Sequence, residues 1–460
     1  MHYGVGIDFG TTNSTAAVFD GEILSLVTLE SANPIMPSAT YIDRELQTLT
    51  GQRAINRYIQ DNTGRTVELI PEVIGETSQF VEHAAGENPV PVEATTQKIY
   101  GAAIVDSGLQ GRLFRGTKRL LGDSQVRRLM VFEHPFRLVA LITPILLQIR
   151  KSLDAEVGPV DYAHIGHPVN FEGRAKFRNQ TALNRLSEAY RHAGIQTQHF
   201  YPEPVAAAVS YLGANPDVSG ELLLTLDFGG GTLDFCVLRR RARHFDVVTT
   251  HGIALGGDQI DQRLFRELLF PLLGKGERWR RRGMDREIET QFPFEDYEEL
   301  LINWAVSYTL NQNKYTTPVF ARMAQGGRAA VKFNRLRELI SQNLSYVVFQ
   351  VIKDFKAQLS ASPEAVLDIP DLDVAIRLSR PEFELLIVDL LARVEQSLDE
   401  TLQRAGLAAG EIDIVLCTGG SSLIPAVRRL LEDRFPNQVV EHDPFTSVAA
   451  GLAIANFNNW

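Results

Sequence analysis

The chain carries one short motif twice, and that repeat limits its fold more than any other feature. The first copy is Gly6-Ile7-Asp8-Phe9-Gly10-Thr11-Thr12-Asn13-Ser14, and the second is Thr225-Leu226-Asp227-Phe228-Gly229-Gly230-Gly231-Thr232-Leu233-Asp234. Each begins as an apolar strand, reaches an aspartate, turns through Gly and Thr, and returns as a second strand (Thr15 to Asp20; Phe235 to Arg239). Glycine lets the backbone of such a turn approach a ligand closely, and the threonine hydroxyls add donors. Clustered backbone N–H groups make an anion-binding concavity. A phosphate held there would repel the adjacent aspartate, and a divalent cation that keeps its water shell relieves the repulsion. One copy alone reads as an ordinary hairpin. Two copies in strand context predict a duplicated domain with two phosphate loops facing each other across a cleft. A third glycine turn, Thr418-Gly419-Gly420-Ser421-Ser422, follows the apolar strand Ile412 to Cys417 and opens toward a helix, a place where N–H groups meet anions or nucleotides.

The length of 460 residues allows two or more domains with sizeable cores. A net charge of −10 argues against a general nucleic-acid binder. Cys236 and Cys417 both fall in apolar strand patterns and are expected to be buried thiols rather than a disulfide or metal site. The N-terminus enters a strand directly, with no signal peptide. The most apolar stretch, Leu138 to Ile149, is broken by Thr143 and Pro144 and is shorter than the roughly 20 residues a membrane span needs. No membrane association and a cytoplasmic location are therefore expected.

Along the chain, three strands fill residues 1 to 30. Residues 56–115 are expected to form a partly helical peripheral insertion. A helix is predicted from Phe136 to about Ala155, a strand from Tyr162 to Gly166, an amphipathic helix from Phe177 to Gly194, and an Ala-rich helix opened by Glu203 between Pro202 and Pro204. The second half repeats the plan with three strands between Glu221 and His251 and a turn, Gly256-Gly257-Asp258, into a helix over Ile260 to Phe270. Residues 271 to 345 look mainly helical. A helix over Leu344 to Leu359, a strand over Ile369 to Arg377 and one long helix over Arg380 to Ala405 precede the third glycine turn. The basic runs Arg239 to Arg243 and Arg278 to Arg282 read as solvated surface. This divides the chain into a first lobe, 1–212, and a second, 213–460, with a mainly helical subdomain at about 262–360.

Taken together, these motifs resemble the nucleotide-binding domain of the 70-kilodalton heat-shock chaperones, an α/β fold of the actin-like, ribonuclease-H-like ATPase superfamily. The string Gly166 to Gly173 resembles its shorter, YegD-like members. The resemblance implies ATP or ADP with magnesium in the cleft. It implies that Asp8 and Asp227 hold the metal through water, that Gly10, Thr11, Thr12 and Asn13 wrap the β- and γ-phosphates, and that Gly229, Gly230, Gly231 and Thr232 form the second phosphate loop. Glu203 would place the attacking water, making Asp8, Glu203, Asp227 and Thr232 the catalytic set. Gly256 and Gly257, Lys356 and Ser360, and Gly419, Gly420, Ser421 and Ser422 would border the adenosine, and Pro168 and Lys176 would relay nucleotide state. A chaperone-like protein with weak magnesium-dependent ATP hydrolysis, nucleotide-driven lobe movement and a protein partner or co-chaperone is implied.

Three departures qualify this. Ile55 stands where the family pattern is expected to have its catalytic lysine, which predicts slow or absent hydrolysis unless Lys118 or Arg53 reaches the γ-phosphate. Leu423 takes the place of an adenine-stacking arginine, and Lys353 that of a ribose-binding glutamate. No length remains after Trp460 for the family's peptide-binding domain, so no client peptide is expected to be held in the usual way. A nucleotide switch without hydrolysis that recruits a partner protein is the alternative, with a small-molecule kinase or an actin-like filament behind it.

Overall fold

The computed structural model describes residues 2–80, 94–172, 176–241, 244–282 and 286–460. The end of the Gly166–Gly173 string, the end of the Arg239–Arg243 run and the middle of the 56–115 segment lie outside them. Two mixed sheets dominate. The first contains β1 (Gly4–Phe9), β2 (Asn13–Phe19), β3 (Leu24–Leu26), β4 (Tyr162–His167) and β5 (Thr197–Pro202), in the order β5-β4-β1-β2-β3, with Met36–Pro37 added beside β2. The second contains β6 (Leu222–Phe228), β7 (Leu233–Arg241), β8 (His244–Ile253), β9 (Ile414–Thr418) and β10 (Val439–Glu441), in the order β10-β9-β6-β7-β8. The two orders superpose strand for strand. In each, a hairpin pairs antiparallel (β1 with β2, β6 with β7), and its first strand also pairs parallel with a strand that arrives much later (β4, β9). That is the actin-like duplicated architecture. β1 and β6 are central in their sheets and apolar almost throughout, as strands covered on both faces must be.

Helices cover the sheets. The Leu138–Val157 helix buries Ile142, Ile145, Leu146 and Ile149 against Ile7, Phe9 and Ile165. The Glu203–Ala214 and Ser447–Phe457 helices pack together beside the first sheet, and the contact depends on absent side chains. A Cβ on Gly451 would overlap the Ala206 carbonyl oxygen, and Cβ atoms on Gly4 and Gly6 would overlap the carbonyls of Ala453 and Ala449. The second sheet packs its other face into the largest apolar cluster, which includes Leu226, Phe235, Phe265, Phe270, Phe292 and Phe355. Cys236 and Cys417 are free and buried, and burial pushes both thiols up to about 12.

Several local expectations change. The 56–115 segment is mainly strand: helix Gly51–Asn62 is followed by strands Leu69–Phe80, Ala94–Asp106 and Gly111–Arg115. Its β-branched and aromatic residues favour a pleated surface over a helix. The Ile369–Arg377 strand is the tail of one strand and most of another, Glu364–Ile369 and Val374–Ser379, joined at Asp373 in a left-handed turn. The helix over Arg380–Ala405 is two, Arg380–Leu386 and Val388–Ala405, broken at Ile387. The Ile260–Phe270 helix begins at Gly257 and passes into a wider π turn at Phe265–Leu269 before Pro271 removes the next donor. Residues 271–345 hold the helices Glu295–Leu301, Asn313–Ala324 and Ala329–Ser341, together with a hairpin, Arg278–Arg282 with Glu287–Gln291.

Between β4 and β5, His164 and His199 are register partners with ring centroids 4.7 Å apart, and the Tyr162 hydroxyl lies 3.0 Å from His164 Nε2. Burial, and then the neighbouring His199, lower the His164 pKa from 6.5 to about 4. The unfolded chain therefore takes up a proton that the native chain refuses. The stability from neutral His164 is fully present above pH 6.5 and is lost as pH falls from 6.5 toward 4. Urea unfolding midpoints measured across that window should drop with acid, and His164→Gln should flatten the slope. Equal slopes in the two proteins would refute the assignment.

Candidate functional site

Both duplicated hairpins end at one cleft. Asp8 sits opposite Thr15 in the β1–β2 register, and Asp227 opposite Asp234 in β6–β7. The turns between the strands, Gly10–Thr12 and Gly229–Thr232, approach across the cleft: a Cβ on Gly230 would lie 3.3 Å from Thr12 Oγ1. A Cβ on Gly10 would overlap the Asn13 carbonyl oxygen, so the first turn closes only around glycine. The Gly256–Gly257 turn lies on the second loop. Gly257 N–H donates to Gly229 O at 3.0 Å and Asp258 N–H to Gly230 O at 2.7 Å. A Cβ on Gly256 would overlap the Gly230 carbonyl oxygen and lie 2.5 Å from Gly231 N.

Between the loops lies a compact charged group. Glu203 is the first residue of its helix, where Pro202 caps the end and Pro204 occupies the first turn, and an acid there suits the helix dipole. Lys118 comes from a 3-10 turn, Thr117–Leu120, entered through Gly116 at φ +63°, a left-handed conformation that favours glycine. Lys118 Nζ donates to Glu203 Oε1 at 2.6 Å, with the lysine side chain 6% exposed. Burial alone would lower the lysine pKa; Glu203, Asp8 and Asp227 outweigh it and hold it above its ordinary value. Burial first, then Glu203, push Asp8 up to about 7 against the pull of Lys118. Burial, then Asp234, Glu203 and Asp8, push Asp227 to about 7 as well. Asp234 reaches about 6 through burial, opposed by a hydrogen bond from Thr232. One lysine thus faces more carboxylate than it can neutralise.

These residues fit a hydrated divalent cation. Asp8 Oδ1 is buried without a hydrogen-bond partner, and Asp8 and Asp227 are the carboxylates whose ionisation burial opposes most plainly. Among the described residues, no three His, Cys, Asp or Glu side chains converge as a metal cage. That suits magnesium, which keeps several waters and takes one or two carboxylates together with substrate phosphates.

A second cluster adjoins the loops. Lys356 Nζ donates to Asp261 Oδ1 at 2.5 Å and to Gly257 O at 3.2 Å. Ser421 Oγ donates to Gly229 O at 3.3 Å, and Ser422 Oγ to Gly419 O at 2.7 Å. Gly419 has φ +79°, and a Cβ there would lie 2.6 Å from Asp227 Oδ1, so the third glycine turn touches the aspartate of the second loop. Gly420 faces the Phe445 ring. Ser360 Oγ donates to Lys356 O, one turn back in its own helix. Behind the loops, Pro168 lines a cavity of about 350 Å³ together with Glu203, Asp227, Asp234 and Arg119. Lys176 is exposed.

The protein-family model described as Hsp70 protein matches residues 4–118, 141–274 and 343–456, most of the chain. The chain belongs to the Hsp70 family. This Hsp70-family chain is 26% identical over 98% of its length to "Heat shock 70 kDa protein BIP3" of Oryza sativa subsp. japonica, covering 56% of that protein. It is 26% identical over 97% of its length to "Chaperone protein dnaK" of Cyanidioschyzon merolae, covering 61% of it. It is 25% identical over 98% of its length to "Chaperone protein HscA homolog" of Tolumonas auensis, covering 57%. The chain therefore spans a little over half the length of these curated relatives. The matched segments contain both hairpins, Lys118, Glu203, Lys356 and the third glycine turn.

The sequence offered Lys118 or Arg53 as the cation in place of a lysine at Ile55, and the geometry separates the two. Ile55 is 3% exposed and packs with Ala39, Tyr41, Ala54 and Tyr58. Lys118 is ion-paired with Glu203 in the cleft. Arg53 is exposed and exerts its charge on Glu30. Sequence reasoning assigned no role to Asp234, Arg119 or Asp261. Asp234 had a usable signal: it stands as far after the Thr232 turn as the register with Asp227 requires. Arg119, whose Nη2 would overlap a Cβ on Gly231 and whose Nε lies 3.3 Å from Glu172, had none. Among the described residues, no helix is long and apolar enough to cross a membrane.

Proposed function

We propose that this chain is a chaperone-type ATPase module that binds ATP between its lobes and hydrolyses it slowly with magnesium. The observation that carries the reading is Lys118, bonded to Glu203 and facing Asp8 and Asp227, between two duplicated phosphate loops. The N–H groups of Gly10 to Asn13 and of Gly229 to Thr232 receive the phosphates, and Thr11, Thr12 and Thr232 add hydroxyl donors. Lys356, with the Gly256–Gly257 turn and Gly419 to Ser422, borders the adenosine. Magnesium, held through water by Asp8 and Asp227, neutralises charge on the phosphates when bound. Lys118 places a positive charge where the transferred phosphoryl gains negative charge. Glu203 fixes the lysine and accepts a hydrogen bond from the attacking water. Phosphoryl transfer needs little beyond such positioning and charge stabilisation. The relatives are named chaperones, and we extend that role, with a protein partner or co-chaperone and nucleotide-driven lobe movement, to this chain.

The sequence alternative, a switch that binds nucleotide without hydrolysis, rested on Ile55; the Lys118–Glu203 pair in the cleft supports hydrolysis instead. The test is magnesium-dependent ATP binding by calorimetry beside single-turnover hydrolysis, with Asp227→Asn as the control. Binding with turnover that Asp227→Asn abolishes is the expected result. Binding without turnover would return the switch, and no binding at all would end the nucleotide reading.

A further inference from the structure

A cavity of about 850 Å³ lies between the lobes and opens off Thr12 and Asn13. That size suits a small-molecule ligand. Lys356, Gly257 and Ser421 are absent from its walls, so it is a chamber beside the proposed adenosine cradle. Two features of its lining stand out, Arg115 on Trp304 and Lys353 below Tyr346. Arg115 stacks its guanidinium over the Trp304 ring, 4.6 Å from the centroid. Among the described residues no carboxylate lies within ion-pairing distance of it; it is partly buried, and burial pulls its pKa below the ordinary value while Asp258, farther off, pulls the other way. Lys353 has one ion pair, with Asp258 Oδ1 at a loose 3.8 Å. A partly buried guanidinium without an ion-paired anion is costly, and Lys353 and Arg53 on the same walls outnumber the one carboxylate there, Glu30, so the lining favours an anionic guest. Gln52, Gln350 and the Tyr346 hydroxyl supply neutral donors on the same walls.

The helix Ser345–Ala361 explains the arrangement. Lys353 and Lys356 are three residues apart, neighbours on one helix face. One reaches the Gly257 carbonyl and the other lines the chamber. A single helix therefore presents one ammonium to each compartment.

We propose that the chamber binds a phosphate group additional to the triphosphate of the nucleotide, held between Arg115 and Lys353. The phosphate is carried either on the ribose of the nucleotide or by a separate phosphorylated molecule. Arg115 receives it as a bidentate fork while still stacked on Trp304, and Lys353 adds a point charge.

Trp304 provides the readout. In a Trp279→Phe, Trp460→Phe background, full-length protein is loaded with magnesium and a non-hydrolysable ATP analogue, and inorganic phosphate is added. A saturable change in Trp304 fluorescence is expected, lost in Arg115→Gln and shifted about tenfold weaker in Lys353→Gln, a substitution on a partly exposed helix face that leaves folding intact. In the other arm, ATP carrying a 3′-phosphate is compared with ATP. Binding at least tenfold tighter, cancelled by Lys353→Gln, places the phosphate on the nucleotide. A response to free phosphate in the loaded protein places it on a separate molecule. No response in either arm, or a response unchanged by both Arg115→Gln and Lys353→Gln, overturns the proposal. Should the ATP analogue fail to bind, the nucleotide reading falls by itself. The phosphate titration of the unloaded protein, with the same two variants, still decides the chamber.

Discussion

Lys118→Met should lower single-turnover ATP hydrolysis by about 10²–10³-fold while leaving ATP binding within severalfold of the parent protein. The lysine is bonded to Glu203 within the carboxylate cluster, and it is nearly inaccessible to water. A charge preorganised in such a place acts more strongly on a developing anion than it would in solvent. On the proposed reading the β- and γ-phosphates also meet the backbone N–H groups of two loops, which the substitution leaves in place, so affinity is less sensitive than rate. Removing one partner of a buried pair leaves the other uncompensated and costs about 3–5 kcal/mol of stability. The comparison must therefore be made at a temperature where thermal melting shows the variant folded. Arg53→Gln provides the contrast, with turnover unchanged, because Arg53 is exposed and its charge acts on Glu30. Parent-like turnover in Lys118→Met, or a large loss in Arg53→Gln, would move the catalytic cation elsewhere.

The second large effect is steric. Gly256→Ala should weaken ATP binding by about tenfold or more, since overpacking of this kind costs about 1–3 kcal/mol. The backbone of Gly256 is extended at φ −152°, which alanine adopts without strain, so the change tests space alone. The added methyl would overlap the Gly230 carbonyl oxygen and press on Gly231 N, both backbone atoms of the second phosphate loop. The two hydrogen bonds from Gly257 and Asp258 clamp the turn to that loop, and the strain therefore passes into it. Calorimetry with ATP and magnesium would measure the loss. Affinity equal to that of the parent would mean that the turn yields and that the loop is not held by it.

The duplicated hairpins were legible because their signal is local. An apolar run, an aspartate, a glycine turn and a second run lie within about ten residues, and the β1–β2 and β6–β7 pairings follow from that pattern alone. The Glu203 helix was legible for the same reason, since two prolines and an acid mark its start. The reading stopped short where the deciding contact is distant: it named Lys118 and Arg53 without choosing between them. Lys118 and Glu203 are 85 residues apart, and nothing near Lys118 in the chain says that a carboxylate awaits it. Ile55 was given weight because it stands where the resemblance placed a lysine, and its packing against Tyr41 and Tyr58 could not be read from the string. The 56–115 segment lacked a clean period: Leu69–Phe80 and Ala94–Asp106 pair with each other, and Gly111–Arg115 pairs with Ala39–Asp43 outside the segment. The break at Ile387 is likewise invisible to periodicity, which continues across it.

The seating of the Ser447–Phe457 helix on β1 has a consequence for how the chain is made. Val5 N–H donates to Asn456 Oδ1 at 2.8 Å across 451 residues of sequence, and Gly4 and Gly6 receive that helix on their bare backbone. A ribosome that has delivered the whole first sheet has not yet delivered the helix that covers it. Chains are translated at about 5–20 residues per second, and domains usually fold as they emerge. Here β1 waits until Asn456, 451 residues later, has been made, with its glycine face open to water or to whatever protein shields nascent chains. Covering of the first sheet is thereby tied to delivery of the Ser447–Phe457 helix.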